Sequence, residues 1–361
     1  MSGTRMTIDD LDNAVRSLSA MDREVFERIY DVGVSEGQVK LPEGMMPWIQ
    51  ERFGSAEKVL RQKVVRVTNR VTLEEAIFNE LRARRPAGPS EACECSGPGG
   101  ADSDLFRDPR ATTPEDSFGR VEGKYSVTAS NVAKCEGFHG VVVFKEADPL
   151  RFDRQHVADY VDTGWRWAER AHAADLEAKY YLFVWNCGGR AGASQQHGHA
   201  QVMLGKGRHY AKVEHLRRAA VRYREEHGTS YFDDLYRVHH ALGCGFAKDG
   251  VRVMAYLTPV KEKEIVLMAP NLGVPLKDRL YDMLACFRDR LGVVSFNVAL
   301  LMPPIAQVEE NWEGFPTIAR IVDRGAAGNT TSDFGSVELY ASTVVSSDPF
   351  EIARMVERAL A

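Results

Sequence analysis

One order of predicted elements occurs twice along this chain, and that repetition constrains the fold more than any other feature. Residues 124–128 and 140–145 read as strands. Residues 151–172 carry Val157, Tyr160, Val161 and Trp165 on one helical face. Residues 180–186 form a strand running into a glycine-rich turn, with a further strand at 201–204. Later, strands at 251–256 and 264–268 are followed by a helix at 276–291 and a strand at 295–302. The two sets lie roughly 120 residues apart, the mark of a duplicated unit. Strands mixed with helices that can cover one face of their sheet give an α+β class. The copies differ in polar content. The first holds Ser194-Gln195-Gln196-His197-Gly198-His199-Ala200-Gln201, whereas the stretch taken as its counterpart, Val298-Ala299-Leu300-Leu301, is apolar. One half is expected to hold the chemistry and the other to complete the sheet.

The reading divides the chain at 1–86, 87–220 and 221–361. The first segment is expected to be mainly helical. Leu11, Val15, Leu18, Met21, Val25 and Ile29 recur at helical spacing across 8–32, and alternating valines between 61 and 71 suggest one strand. Thr72 and Glu75 form a capping-box pattern, which predicts a helix running to Arg85-Pro86. Residues 87–119 are rich in Gly, Pro, Ser, Asp and Thr and read as a long loop, a kind of segment that is usually functional or disordered.

Composition excludes several classes. Acidic residues outnumber basic ones, 51 to 46, for a net charge of -5, so no basic surface for nucleic acid is expected. No run of about 18 apolar residues marks a membrane span. The first ten residues lack the apolar core of a signal peptide, and a cytoplasmic protein is expected. Six cysteines in 361 residues do not form a disulfide framework.

The histidine run carries the chemistry. Residues two apart in a strand share a face, so His197 and His199 can project together, with Gln201 next in line. Gly188, Gly189 and Gly192 let the backbone approach a ligand closely, and Ser194 adds a hydroxyl. Such a cluster suits a phosphate. A neutral imidazole attacks phosphorus, while amide, hydroxyl and backbone groups hold the oxygens. On spacing alone, a histidine pair bonded within a sheet or holding a metal fits as well.

The longer context adds a resemblance. Asn186, five residues, Gly192, Ala193, Ser194, two residues, then His197-Gly198-His199-Ala200-Gln201 resembles, without a gap, the active-site signature of galactose-1-phosphate uridylyltransferases, a branch of the histidine-triad superfamily. Weaker similarity runs from Phe78 to the C-terminus, and residues 1–75 fall outside it. The resemblance implies two tandem histidine-triad-like half-units sharing an extended, mainly antiparallel sheet with flanking helices, here with an N-terminal helical extension. It implies a homodimer. It also implies a nucleotidyltransferase that moves a nucleoside monophosphate, UMP in that family, between a nucleotide sugar or nucleoside triphosphate and a sugar 1-phosphate. His199 would carry the nucleotidyl group. Gln201 would contact the transferred phosphate, and Ser194 and Asn186 would support the phosphates and the loop. Two other readings stay open. One is a phosphorylase or hydrolase of nucleotide sugars or dinucleoside polyphosphates that uses the same histidine; the other is a nucleotide-binding protein without catalysis.

The chain departs from the pattern in places. Gly198 stands where those enzymes usually have proline. Their structural zinc implies Cys93, Cys95 and His197 as ligands here, but Cys93-Glu94-Cys95 is a tighter spacing than Cys-x-x-Cys. Their second metal site needs histidines where this chain has Val298 and Leu300, and is expected to be absent. Other candidates follow from residue chemistry. Arg190, in the glycine-rich turn beside Gly192 and Ala193, is a candidate phosphate contact. The resemblance implies that Arg320 and Arg324 reach an active site across a dimer interface. Arg82, Arg84 and Arg85 read as a solvated helix end, Lys261 to Glu264 as a solvated charged turn, His239 and His240 as a helix end, and Trp165 and Trp167 as core.

Overall fold

The computed structural model of the chain describes residues 5–84, 104–326 and 334–360. Helices Leu11–Ser17 and Ala20–Ile29 lead into strand β1 (Tyr30–Gln38), so the helical spacing across 8–32 stops at Ile29. Strand β1 pairs antiparallel with β2 (Arg61–Asn69), and β2 pairs antiparallel with β3 (Glu75–Phe78). From the far end of the chain, β13 (Thr343–Val345) adds to β3 in parallel. The N-terminal segment therefore contributes a sheet as well as helices. The helix predicted after Thr72 is β3. Asn69 sets the turn instead: its Oδ1 accepts from Val71 N–H and Thr72 N–H, both at 3.0 Å, while its Nδ2 donates to Tyr231 Oη at 2.8 Å. An Asx turn of this kind competes with helix initiation for the same backbone donors.

Among the described residues, nine further strands form one continuous sheet. In chain order they are β4 (Ser126–Ser130), β5 (Phe138–Phe144), β6 (Ala178–Cys187), β7 (His199–Lys206), β8 (Gly245–Lys248), β9 (Val251–Ala255), β10 (Glu262–Ala269), β11 (Phe296–Leu301) and β12 (Thr317–Asp323). Their spatial order is β4-β5-β7-β6-β11-β12-β10-β9-β8, and every neighbouring pair is antiparallel. Read from either flank to the middle, β4-β5-β7-β6 and β9-β10-β12-β11 are the same arrangement. The repeat legible in the sequence is thus a repeat in space, joined where β6 pairs with β11 from Cys187–Phe296 to Phe183–Leu300. The topology corrects one assignment. The counterpart of the histidine strand β7 is β12, and β11, with Val298 to Leu301, is the counterpart of β6.

Period-two alternation divides the sheet's faces. Tyr181, Phe183 and Trp185 of β6, Ala200, Val202 and Leu204 of β7, and Val298 and Leu300 of β11 point to one side. There helices Arg154–Ala174 and Val274–Asp289 cover them with Tyr160, Trp167, Leu280 and Phe287 in one cluster that spans both halves. Trp165 packs against that cluster. Each large apolar side chain buried there contributes about 1.5–3 kcal/mol. The other face is covered unevenly. Over the second half, Leu11, Phe26, Ile29 and Val65 of the N-terminal segment and Tyr231, Phe232 and Leu235 pack on Met254, Val266, Met268 and Ile318. Over the first half, among the described residues, there is only a small cluster, Val127, Ala129, Val141 and Val143, with Phe106 against it. That thinly covered area holds the histidine motif.

Candidate active site

His199 opens β7, and the backbone before it is tied to the end of β5. Phe144 N–H donates to the Gly198 carbonyl at 3.0 Å, and Gly198 N–H donates to the Ala147 carbonyl at 2.8 Å. A Cβ at Gly198 would lie 2.7 Å from Phe144 Cδ2 and 3.1 Å from the Glu146 carbonyl oxygen. The Phe144 ring is stacked on Tyr160 with centroids 3.5 Å apart, so it cannot withdraw. Glycine between the histidines therefore has a local cause.

Both ring nitrogens of His197 face oxygen. Nδ1 is 2.8 Å from Asp104 Oδ2 and Nε2 is 2.8 Å from the Phe144 carbonyl. Burial would raise the Asp104 carboxyl, but hydrogen bonds from His197 and the Phe106 N–H outweigh it and hold the group below the usual carboxylate range. His199 is held differently. Its Nδ1–H donates to the His197 carbonyl at 2.8 Å. A carbonyl only accepts, so the neutral ring carries its proton on Nδ1 and a lone pair on Nε2. Nε2 has no hydrogen-bond partner among the described residues. Burial, with the nearby His197 in addition, lowers the His199 pKa below 6.5 against the opposing pull of the carbonyl bond. The Phe106 ring lies 5.1 Å from the His199 ring, centroid to centroid, and covers it.

Gln201 follows on the same face of β7. Its Oε1 lies 3.0 Å from Nε2 of the buried His139, whose Nδ1 accepts from Cys135 N–H at 3.2 Å. The next strand brings Asn186. The last rung between β6 and β7 is Val184–Gln201, and one alternation further along each strand Asn186 and His199 share the open face. Asn186 is joined to the second half. Asn297 Nδ2 donates to Asn186 Oδ1 at 2.7 Å and to the Ala191 carbonyl at 2.9 Å. Arg324 Nη1 donates to Asn297 Oδ1 at 2.5 Å. Arg324 thus belongs to the Asn186 cluster of its own chain.

The glycine-rich turn closes the site. Gly188 and Gly192 hold φ of 84° and 90°, the left-handed region that side chains disfavour. Ser295 Oγ donates to the Cys187 carbonyl at 2.9 Å where the turn begins. Ala193 is half-buried and Ser194 exposed. Arg190 and Arg324 stand on the wall of a neighbouring cavity of about 970 Å³, together with Lys63, Arg82 and Lys263; the histidines do not line it.

Several expectations are corrected. Arg320 is not at this site: it is buried in the second half between Glu74 (2.6 Å) and Glu264 (2.5 Å). Lys261 and Glu264 are buried rather than solvated, and Glu262 accepts from Ser346 and Ser347 N–H. His239 and His240 do lie in the last turn of helix Tyr231–Ala241, where His239 is buried with Nδ1–H donating to the Leu235 carbonyl at 2.8 Å. Arg85, Cys93 and Cys95 lie outside the described residues. Among the described residues no group of three or more His, Cys, Asp or Glu is placed to hold a metal.

Sequence reasoning did not single out Asp104, Phe106 or Asn297 for the site. The first two sit in the long loop, where only its length gave a signal. Asn297 had a clearer one, as the lone polar residue of an otherwise apolar strand, Phe296–Leu301.

No protein-family model and no curated protein matches the sequence. Solved structures do match the fold. ADP-glucose phosphorylase from Arabidopsis thaliana, with bound ADP-glucose, aligns at TM-score 0.60 and 17% identity over 79% of this chain and 95% of that one. A GalT-like protein from Arabidopsis thaliana aligns at 0.57 and 16% identity, over 70% and 90%. A uridylyltransferase aligns at 0.56 and 16% identity, over 82% and 98%. This chain has the fold of the GalT-like uridylyltransferases and of ADP-glucose phosphorylase.

Proposed function

We propose that this protein is a nucleotidyltransferase that takes a nucleoside monophosphate from a nucleotide sugar onto His199 and passes it to a sugar 1-phosphate. The observation that carries this reading is the asymmetric hold on His199: Nδ1 is fixed by the His197 carbonyl while Nε2 is left without a partner among the described residues. Nε2 attacks the α-phosphorus. The bond from phosphorus to the bridging oxygen breaks, and a sugar 1-phosphate leaves with that electron pair. It is already an anion, so it needs little general-acid help. The ring in the adduct keeps its proton on Nδ1 and becomes cationic, and the His197 carbonyl faces that developing charge. A phosphate oxygen of the acceptor then attacks phosphorus, the N–P bond breaks, and the free imidazole returns.

The amides of Gln201 and Asn186 and the donors of the 188–194 turn would hold the non-bridging oxygens. The sequence resemblance favours uridine as the nucleoside. Intact-mass measurement after incubation with UDP-, ADP- and GDP-glucose tests the reading. One sugar nucleotide should add the mass of its nucleoside monophosphate, and His199→Ala should lose that gain. Absence of an adduct with all three, or its survival in His199→Ala, would defeat the proposal. Adding glucose 1-phosphate or inorganic phosphate to the loaded protein then tells which acceptor discharges it, transferase or phosphorylase.

A further inference from the structure

The second half, which lacks the His-x-His motif, reaches Asn186 on the open face of the catalytic half through the side chain of Asn297. We propose that Asn297 is a positioning residue that fixes which end of the Asn186 amide faces the transferred phosphate; this rests on the nucleotidyl-transfer reading above. Hydrogen-bond polarity fixes the orientation. An arginine only donates, so Arg324, 2.5 Å away, requires the oxygen of the Asn297 amide on its side. The Asn297 NH2 is thereby turned to Asn186 and Ala191. There it meets two acceptors, Asn186 Oδ1 at 2.7 Å and the Ala191 carbonyl at 2.9 Å, one for each hydrogen. With its oxygen engaged, Asn186 has only its own NH2 left to offer. That group has no partner among the described residues, and Asn186 lies on the open face it shares with His199. A donor on that face is what a phosphate oxygen requires; the opposite amide orientation would present a lone pair to an anion.

The order Arg324, Asn297, Asn186 therefore passes donor polarity from the second half to the site. The same NH2 holds the Ala191 carbonyl, and Ser295 holds the Cys187 carbonyl, so the second half braces both ends of the glycine-rich turn. A chain that keeps a second copy of its unit without the His-x-His motif gains from it an aligned donor and a fixed turn.

Asn297→Asp tests this, because it keeps the shape and the Arg324 pairing but can no longer donate. Asn186 would then turn its NH2 towards the new carboxylate and its oxygen towards the phosphate. Single-turnover loading of His199, read by intact mass with UDP-glucose and ADP-glucose, should slow by about tenfold or more. Asn297→Leu removes the donors and leaves the Asn186 amide free to rotate. It should load faster than Asn297→Asp although it melts at a lower temperature, having removed the carbonyl that accepts from Arg324. A purely structural role predicts the reverse order of loading. The effect should also pass through Asn186. In an Asn186→Ala background, Asn297→Asp should slow loading further by less than twofold. Wild-type protein that loads, together with equal loading in Asn297→Asp or a full extra loss in the Asn186→Ala background, overturns this proposal alone. Wild-type protein that loads from neither sugar nucleotide overturns it together with the function on which it rests.

Discussion

The missing side chain at position 198 decides how the two histidines are presented. A methyl group there meets Phe144 at 2.7 Å, and that ring is stacked in the core. Gly198→Ala should therefore destabilise the protein by about 1–3 kcal/mol, the usual cost of overpacking. Gly198→Pro should cost more, because it also removes the N–H that bonds to Ala147. Chemical denaturation checks both, and unchanged midpoints would contradict the argument. The proline expected from the resemblance is thus the wrong residue for this chain, a fact the motif alone could not show. It depends on Phe144, far away in sequence. His199 itself makes a prediction about pH. Burial lowers its pKa below 6.5, so the free base persists to lower pH than for an exposed histidine. The rate of adduct formation should hold steady through pH 6.5 and fall only below it. An inflection above 6.5 would show that the ring is not buried as described.

At the scale of elements, what could be read from the sequence was what alternation encodes. Strands β5, β6, β10 and β11 and the two long helices over the core appear within a few residues of their expected places, because their apolar periods match the faces they bury. Strand β3 was read as a helix, since Thr72 and Glu75 look like a cap until Asn69 is seen to take the turn's backbone donors. Strand β13 has three residues and exists only because β3 offers it an edge. The same dependence on distant partners hid the role of Arg320, which joins Glu74 of the N-terminal segment to Glu264 of β10. Glu264 is 2% exposed, and its carboxylate has no water to turn to if the guanidinium is lost. Arg320→Met should cost about 3–5 kcal/mol, as breaking a buried pair does. Replacing Glu74 and Glu264 by Gln in the same protein should recover part of that loss. Thermal melts of the single and combined variants would reveal an error in this assignment if Arg320→Met were neutral.

Across the whole molecule, acid should act through buried imidazoles. Burial pushes the His239 ring down to about 4, against 6.5 when unfolded. The unfolded chain takes up this proton first, so the contribution is intact above pH 6.5 and is lost as pH falls towards 4. It is on the order of 3 kcal/mol for this group. His209, also pushed down to about 4 by burial, adds in the same direction. Denaturation midpoints measured from pH 7 to 4 should decline. His239→Gln should flatten part of that slope, and an unaltered slope would refute the assignment. The seam between β6 and β11 bears on something else, how the chain can be divided. Its rungs tie one half to the other at mid-sheet, and a single apolar cluster runs beneath both. Cut at the turn near Gly243, neither fragment would keep a covered border. Each would bare a row of unsatisfied amides above half of a hydrophobic floor, and would sooner recapture its mate or a stranger than remain alone in water.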